Sequence, residues 1–269
     1  MKQLKLMVLT LTLLMGTMFT SCMDSGESGP QQWAGVVKVN DRNRMGYVTF
    51  TDAAGTELIP TNTIPVTLNA RMAYIYCQVD EGQDLSTNPK SIKITLLADP
   101  TGIDATAITT PKVGESGDVT TNAPVGSLSF ASGYSTVAPF QFSENTIVLP
   151  VLYRVKNVTT TEDIKNELAK HTFTLVCYTD DIKSGDTILK LYLRYKVEDE
   201  PAAIAERATR TSSFKAYEIS QILREYTLKS GQAKPAKITI VAQQNEYNNK
   251  LEDTSTTEKV YEIEYKTAE

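Results

Sequence analysis

The sequence predicts a mainly β protein, in which a small five-stranded barrel is followed by a β-sandwich with one or two short helices. Runs of alternating apolar and polar residues recur in two bodies, residues 31–98 and 125–269. Clusters of the turn-forming residues Gly, Pro, Asn and Asp separate these runs at short intervals. Residues 99–124 mix Thr, Gly, Pro and Asp with little periodicity, so we predict a linker between two domains that has room for one short edge strand.

The first body contains five short strand patterns with one longer connection. Asn40–Asn43 and Asp52–Gly55 are turn clusters that would close hairpins between the first three patterns. Pro60 and Pro65 bracket the connection to the fourth pattern, because proline cannot donate a hydrogen bond inside a sheet. This arrangement suits a small closed barrel such as an OB-fold. The predicted strands are Trp33–Val39, Gly46–Thr51, Thr56–Ile59, Arg71–Val79 and Ser91–Leu97.

The second body is predicted to contain longer strands. The pattern Thr187–Val197 alternates over most of its length, and Lys190, Arg194 and Lys196 are among its outward residues, so we expect one covered face. The other predicted strands are Ser127–Phe130, Thr146–Val155, Thr172–Tyr178, Lys237–Ala242 and Val260–Lys266.

Two helical patterns interrupt these strands. Thr160–Asp163 can form a capping box, and the helix after it carries Ile164 and Leu168 four residues apart on one face. The second helix, Ser220–Leu228, has Ser220 as its predicted cap and ends before a glycine and a proline. Its predicted buried contacts are Ile222, Leu223 and Tyr226.

The beginning of the chain predicts export and lipid attachment. Lys2 and Lys5 precede an apolar run, and the sequence Phe-Thr-Ser-Cys places small residues just before Cys22. We therefore predict a lipoprotein signal peptide over residues 1–21 and a Gly/Ser-rich tether over residues 22–30. An acylated Cys22, carrying palmitate, would hold the protein on a lipid bilayer. Cleavage at another position without lipidation is the alternative, whereas the run of about 14 residues is too short to span a bilayer.

Charge and cysteine content narrow the classes of partner. The net charge of −5 is spread along the chain without a basic stripe, which excludes nucleic acid as an expected partner.

Cys77 and Cys177 each belong to an apolar strand face in a different predicted domain. We expect two buried thiols, with a disulfide as the less favoured alternative in an exported protein.

No catalytic or metal-binding pattern emerges from the sequence, so we predict a protein that is not an enzyme and needs no cofactor. His171 is the only histidine, and no cysteine or acidic ligands accompany it at metal-binding spacing. We therefore expect a structural role for it, at the end of the first helix. The carboxylate groups Asp80/Glu81, Asp180/Asp181 and Glu198–Glu200 lie at predicted strand ends, where solvated acids are common.

Two tyrosines provide a weak indication of a binding surface. Tyr74 and Tyr76 point the same way from the fourth strand, opposite to Ile75 and Cys77. Such a pair can stack on a sugar or a peptide, but it more often lines a domain interface, which is the interpretation that we favour.

These features together resemble the NigD-like lipoproteins of Gram-negative anaerobes. The likeness lies in Gly46–Phe50 with the Ile-Pro steps that follow it, in Ala169–Val176, in Pro235–Ile240 and in Lys259–Tyr265. The resemblance implies an N-terminal OB domain and a C-terminal β-sandwich. It brings no functional residue other than the lipidated cysteine.

The expected function is a non-enzymatic binding or assembly role in the cell envelope, exerted by a lipoprotein on the outer membrane. It would face the periplasm or the cell surface, with envelope proteins or glycans as partners. Two alternatives stay open: a surface carbohydrate-binding accessory protein, and a bacteriocin-associated accessory or immunity protein, which the name of the family implies. The ligand and the oligomeric state are not predicted.

Overall fold

A computed structural model describes residues 31–41, 48–62, 68, 70–83, 85, 89–115, 117–132 and 135–267. The predicted signal peptide and tether, including Cys22, lie outside these residues. The chain divides into two compact units. The first comprises residues up to Asp104 together with Ala131–Val137, and the second comprises Ala105–Phe130 together with Ala138–Glu269.

The first unit is a closed five-stranded barrel. Its strands are ordered β1-β2-β3-β5-β4, and β4 pairs back onto β1 to close the ring. The β3–β5 pair is parallel and the other pairs of the ring are antiparallel, which is the OB topology that the strand patterns predicted. A sixth strand, β6, pairs antiparallel with β4. The bounds are β1 Gln32–Asp41, β2 Val48–Thr51, β3 Glu57–Pro60, β4 Met72–Val79, β5 Ser91–Leu96 and β6 Thr101–Ile103.

Alternation of the side chains fills this barrel. In β4, the residues at Ala73, Ile75 and Cys77 are buried, whereas the intervening tyrosines are not. The pairing of β1 with β4 runs without a break from Gln32 opposite Gln78 to Lys38 opposite Met72, so it fixes the register between these two strands. The barrel core is formed by Trp33, Val37, Phe50, Leu58, Ala73, Ile75, Cys77, Ile92, Ile94 and Leu96.

The second unit contains two four-stranded sheets that share one hydrophobic core, as in the predicted sandwich. One sheet has the order β10-β11-β14-β7 and the other has the order β12-β13-β15-β16. The first sheet consists of β7 Ala105–Ala107, β10 Phe140–Ser143, β11 Thr146–Val155 and β14 Thr209–Glu218. The second consists of β12 His171–Val176, β13 Ile188–Val197, β15 Lys237–Gln244 and β16 Thr257–Glu264.

A separate two-stranded sheet is formed by β8 Phe130–Ser132 and β9 Ser135–Val137, which lie in the first unit except for Phe130.

Three short helices lie among the described residues: α1 Thr161–Ala169, α2 Pro201–Ala205 and α3 Ser220–Ser230. The Thr160 hydroxyl caps α1 by accepting from the Asp163 amide at 3.1 Å, as the capping box predicted. The predicted cap of α3 was wrong, because Ser220 lies inside the helix and Ile219 holds the cap position. Gly231 ends α3 with a φ of 75°, a conformation that favours glycine.

The structure differs from the strand predictions in several places. The predicted linker 99–124 contributes strands to both units, since β6 pairs with β4 and β7 pairs in parallel with β14. Strand β14 was not predicted because its sequence, TRTSSFKAYE, is largely polar. It forms because all ten of its residues pair with β11, so backbone hydrogen bonds rather than side-chain alternation define it. Of the residues predicted as the strand Ser127–Phe130, Ser127 forms an isolated bridge with Leu152 and Phe130 begins β8.

None of the helices in the described part of the chain is long and apolar enough to cross a membrane. Cys77 and Cys177 are both buried free thiols, so the disulfide alternative is wrong.

We predict that neither of these thiols reacts with iodoacetamide in the folded protein at mildly alkaline pH. Burial raises the pKa of each thiol to about 12, so almost no thiolate is present, and the thiolate is the reactive form. Mass spectrometry of the two peptides measures the labelling, with protein unfolded in guanidinium chloride as the control that should label fully. Labelling of either cysteine in the native protein at the unfolded rate would contradict its burial.

Candidate functional site

The tyrosine pair predicted as a weak binding feature lies on the outer face of the barrel. Tyr76 is 38% exposed, and its hydroxyl donates to the side-chain oxygen of Gln32. Tyr74 is half-buried, and this burial raises its pKa. The two tyrosines therefore point outward as expected, but neither of the two cavities described below includes them.

The predicted acidic clusters are occupied by structural contacts. Asp80 accepts hydrogen bonds from Thr61 and Thr95, and Asp180 pairs with Lys229 at 3.0 Å. No group of three or more His, Cys, Asp or Glu side chains within the described ranges is arranged to hold a metal ion.

A buried polar cluster surrounds Glu167, which is the buried residue of α1. Arg207, whose side chain is 0% exposed, donates from Nε to Glu167 Oε1 at 2.7 Å and from Nη2 to Asp199 Oδ2 at 3.1 Å. His171 begins β12 instead of ending α1, and its side chain is 1% exposed. Its Nδ1 lies 2.6 Å from the Tyr195 hydroxyl and its Nε2 lies 3.3 Å from Glu167 Oε1. The imidazole is thus buried between Tyr195 and Glu167, and its predicted place at the end of α1 is wrong.

The cluster keeps its acids charged. Burial alone would raise the pKa of Glu167, but hydrogen bonds from the Lys156 amide, Arg207 and His171 outweigh it and lower the pKa. Hydrogen bonds from Arg207, Lys170 and Lys156 lower the pKa of Asp199 strongly. Burial lowers the pKa of His171, although Glu167 partly opposes the shift. All three shifts favour the proton-poor form of the folded protein.

A second group of side chains lies on the outward face of β13 and beside it. Lys190 is exposed, Tyr192 and Arg194 are partly exposed, and Tyr178 is 8% exposed. The ring centroids of Tyr178 and Tyr192 are 5.2 Å apart, and the planes are tilted by 60°. Lys190 Nζ lies 5.0 Å from the centroid of the Tyr192 ring, and Arg194 Cζ lies 5.1 Å from it. These distances are typical of cation–π contacts. We call these four residues, Tyr178, Lys190, Tyr192 and Arg194, the β13 surface.

Hydrogen bonds hold the β13 surface in place. Arg194 Nη2 donates to the Tyr178 hydroxyl at 2.9 Å, and that hydroxyl donates to Asp118 Oδ1 at 2.9 Å. Asp118 Oδ2 also accepts from the Gly114 amide, and this bond, followed by that from Tyr178, lowers its pKa although partial desolvation opposes them. Within the described residues, the buried atoms Arg194 Nε and Thr121 Oγ1 have no hydrogen-bond partner.

Two hollows adjoin at Tyr178, which lines both. The first has a volume of about 510 Å³ and the second about 420 Å³, and both fall in the range of roughly 300–1,000 Å³ that is common for ligand sites. The first is lined by residues that include Ile182, Asp186, Ile188, Lys190 and Tyr192, and the second by residues that include Asp118, Thr121, Arg194, Gln243 and Leu251.

Sequence reasoning found the outward positions of β13 but not the hollows. It placed Tyr192 and Tyr195 on opposite faces, and the structure buries Tyr195 while leaving Tyr192 partly exposed. The predicted strand Thr172–Tyr178 includes this partner of Tyr192, but β12 ends at Val176, and the Tyr178 ring beyond it is buried beside Tyr192.

The solved structures include a close relative of this chain. The crystal structure of the "Putative lipoprotein (BF3042)" of Bacteroides fragilis NCTC 9343 is 94% identical in sequence, with a TM-score of 0.81, and the match covers 89% of this chain and 100% of that chain. The chain belongs to the BF3042 family.

More distant similarity concerns the fold only. A "protein of unknown function DUF1344" from Bacteroides vulgatus ATCC 8482 matches with a TM-score of 0.54 at 10% identity, covering 87% of this chain and 91% of that chain. No family model and no curated protein matches the chain. The names of these two similar proteins state neither a ligand nor a reaction.

We predict that Glu167→Ala lowers the free energy of unfolding by about 3 kcal/mol, because the buried Arg207 guanidinium loses its two hydrogen bonds to Glu167 and keeps only Asp199 as a charged partner. Urea unfolding followed by circular dichroism measures the loss. Glu162→Ala on the same helix is the control and should cost much less, since Glu162 is exposed. Equal losses in the two variants would show that the buried ion pair does not stabilise the fold.

We also predict that stability falls as the pH is lowered from neutrality. Below the ordinary pKa of histidine, 6.5, the unfolded chain takes up a proton that His171 resists in the folded state. Below the ordinary values of 4.5 for Glu167 and 3.8 for Asp199, the same holds for the two acids, and their stabilisation is lost as the pH falls through the lowered folded values. Urea midpoints measured across this range test the sign. The Glu167→Gln variant should show a shallower decline at the acidic end, and a wild-type stability that rises on acidification would contradict the prediction.

Proposed function

We propose that this chain is a lipid-anchored envelope protein that binds a ligand without catalysing a reaction. Two observations support the anchor: the Phe-Thr-Ser-Cys22 sequence after a basic and apolar leader, and the 94% identity to a protein whose name calls it a lipoprotein. The observation that carries the binding role is the pair of hollows on the β13 surface.

The proposal extends to a NigD-like lipoprotein of the outer membrane. Its support is the order of the two units, a closed OB barrel followed by a β-sandwich, which is the order that the resemblance implies. Acyl chains on Cys22 would tether the folded units to the periplasmic side or the cell surface, at about 0.8 kcal/mol of membrane affinity per buried methylene.

The absence of catalysis is also part of the proposal. His171 and Glu167, which could act as base and acid, are buried and engaged with Tyr195 and Arg207. Cys177 lies beside the β13 surface in sequence, but burial raises its pKa to about 12, so it is not an activated nucleophile. The side chains near the hollows are thus suited to recognition.

The same surface favours a second candidate function, that of a carbohydrate-binding accessory protein. The wall of the hollows combines tyrosines with hydrogen-bonding Asp, Lys and Arg side chains, as a sugar requires. The bacteriocin-associated role remains an expectation from the family name alone.

We predict that cells supplied with labelled palmitate incorporate the label into the wild-type chain, which fractionates with membranes. The Cys22→Ser variant should lose the label and the membrane association, because serine offers no thiol for the thioether. Cys77→Ser is the matched control and should keep both. Label that persists in Cys22→Ser, or a wild-type protein found only in the soluble fraction, would refute the anchor.

A further inference from the structure

We infer that the two hollows form one site for a neutral oligosaccharide, with Tyr178 between two sugar-binding positions. This rests on the proposed binding function and names the chemical class of its ligand. The elements that build the site are β13, β15 and the segments that carry Asp118 and Tyr178, all of which belong to the second unit.

The charges of the lining residues nearly balance, which favours an uncharged ligand. Asp181, Asp186 and Lys190 line the first hollow, and Asp118 and Arg194 line the second. The Tyr178 hydroxyl connects Asp118 to Arg194, so this pair of charges is already matched within the protein. A strongly anionic ligand would meet the aspartates and a strongly cationic one would meet Lys190 and Arg194, at a Coulombic cost in either case.

The hydrogen-bonding groups of the hollows need a ligand that both donates and accepts. The carboxylate of Asp186 accepts and the ammonium of Lys190 donates, and a sugar hydroxyl can do both at once. Apolar surface is also available, since Ile188 is 47% exposed and the Tyr192 ring is partly exposed. The C–H faces of a pyranose ring can pack against such surface.

The position of the site in its sheet argues against an extended peptide. Peptides often bind by adding a strand to a free sheet edge, where unpaired backbone groups provide most of the affinity. Strand β13 is paired on both sides, with β12 through six residue pairs and with β15 through six more. Its backbone is therefore used, and recognition on this face depends on side chains.

Affinity electrophoresis of the full chain, purified in detergent, tests this inference. The gels contain starch, xylan, mannan or laminarin as neutral polysaccharides, with alginate as the acidic comparison and casein as the polypeptide comparison. We expect retardation by at least one neutral polysaccharide, and a roughly tenfold weaker apparent affinity for Lys190→Ala, since a lost hydrogen bond to a charged group has about that effect. Tyr192→Ala should weaken retardation as well.

Lys196→Ala is the matched control. It removes the same charge from an outward position of the same strand, but Lys196 does not line either hollow, so its retardation should equal that of the wild type. Unfolding temperatures of all variants separate loss of binding from loss of fold.

Four outcomes would overturn the inference: no retardation by any neutral polysaccharide, retardation by alginate alone, retardation that Lys190→Ala leaves unchanged, or casein binding that depends on Lys190. The palmitate label on Cys22 is measured on the same preparations. A chain that carries the lipid but binds no polysaccharide would overturn this inference while leaving the proposed anchor intact.

Discussion

The buried ion pair between Glu167 and Arg207 fixes the connections between the strands of the sandwich. Glu167 Oε1 accepts from the Lys156 amide just after β11, and Arg207 Nη1 donates to the Ala203 carbonyl in α2 at 2.8 Å. Arg207 also reaches Asp199 in the turn after β13. Burying two charges costs several kcal/mol, and this cost is offset only where the remaining donors and acceptors are satisfied. The segments that contain Lys156, Asp199 and Ala203 must therefore take their positions together, because each is bonded to the same ion pair.

The same pair determines which face of α1 is buried, and the spacing of apolar residues in the sequence did not predict that face. The spacing of Ile164 and Leu168 marks an apolar face, yet both are more than 40% exposed, and the buried residue of the helix is Glu167. Apolar periodicity predicts which face of a helix gains most by leaving water. In a short helix, a network of charge-assisted hydrogen bonds can outweigh that gain. Nothing near Glu167 in the sequence identifies Arg207, which follows forty residues later.

The sequence was sufficient to predict a strand where the pattern of apolar side chains agrees with the backbone pairing. Strand β13 alternates and β11 is an almost continuous apolar run, and the observed bounds of both match the predictions within one residue. Strand β14 has no such alternation, and it is defined by its ten pairs with β11, which no local pattern reports. The candidate site follows the same division. The outward residues of β13 follow from alternation, whereas Tyr178 reaches them from beyond the end of β12, so its place depends on tertiary structure.

The two sides of β13 have different consequences for function. Its inward residue Tyr195 stacks on Phe173, with ring centroids 4.6 Å apart and planes 2° apart, and its hydroxyl meets the ring of His171. This packing holds the strand so that the outward rings and cations occupy defined positions before any ligand arrives. A rigid wall loses little conformational entropy on binding, which favours recognition without rearrangement. The charges that could act as acid and base are on the inner side, sealed by the network around Arg207. The sandwich thus keeps its buried ion pair apart from the exposed and partly exposed charges on the outward side of β13.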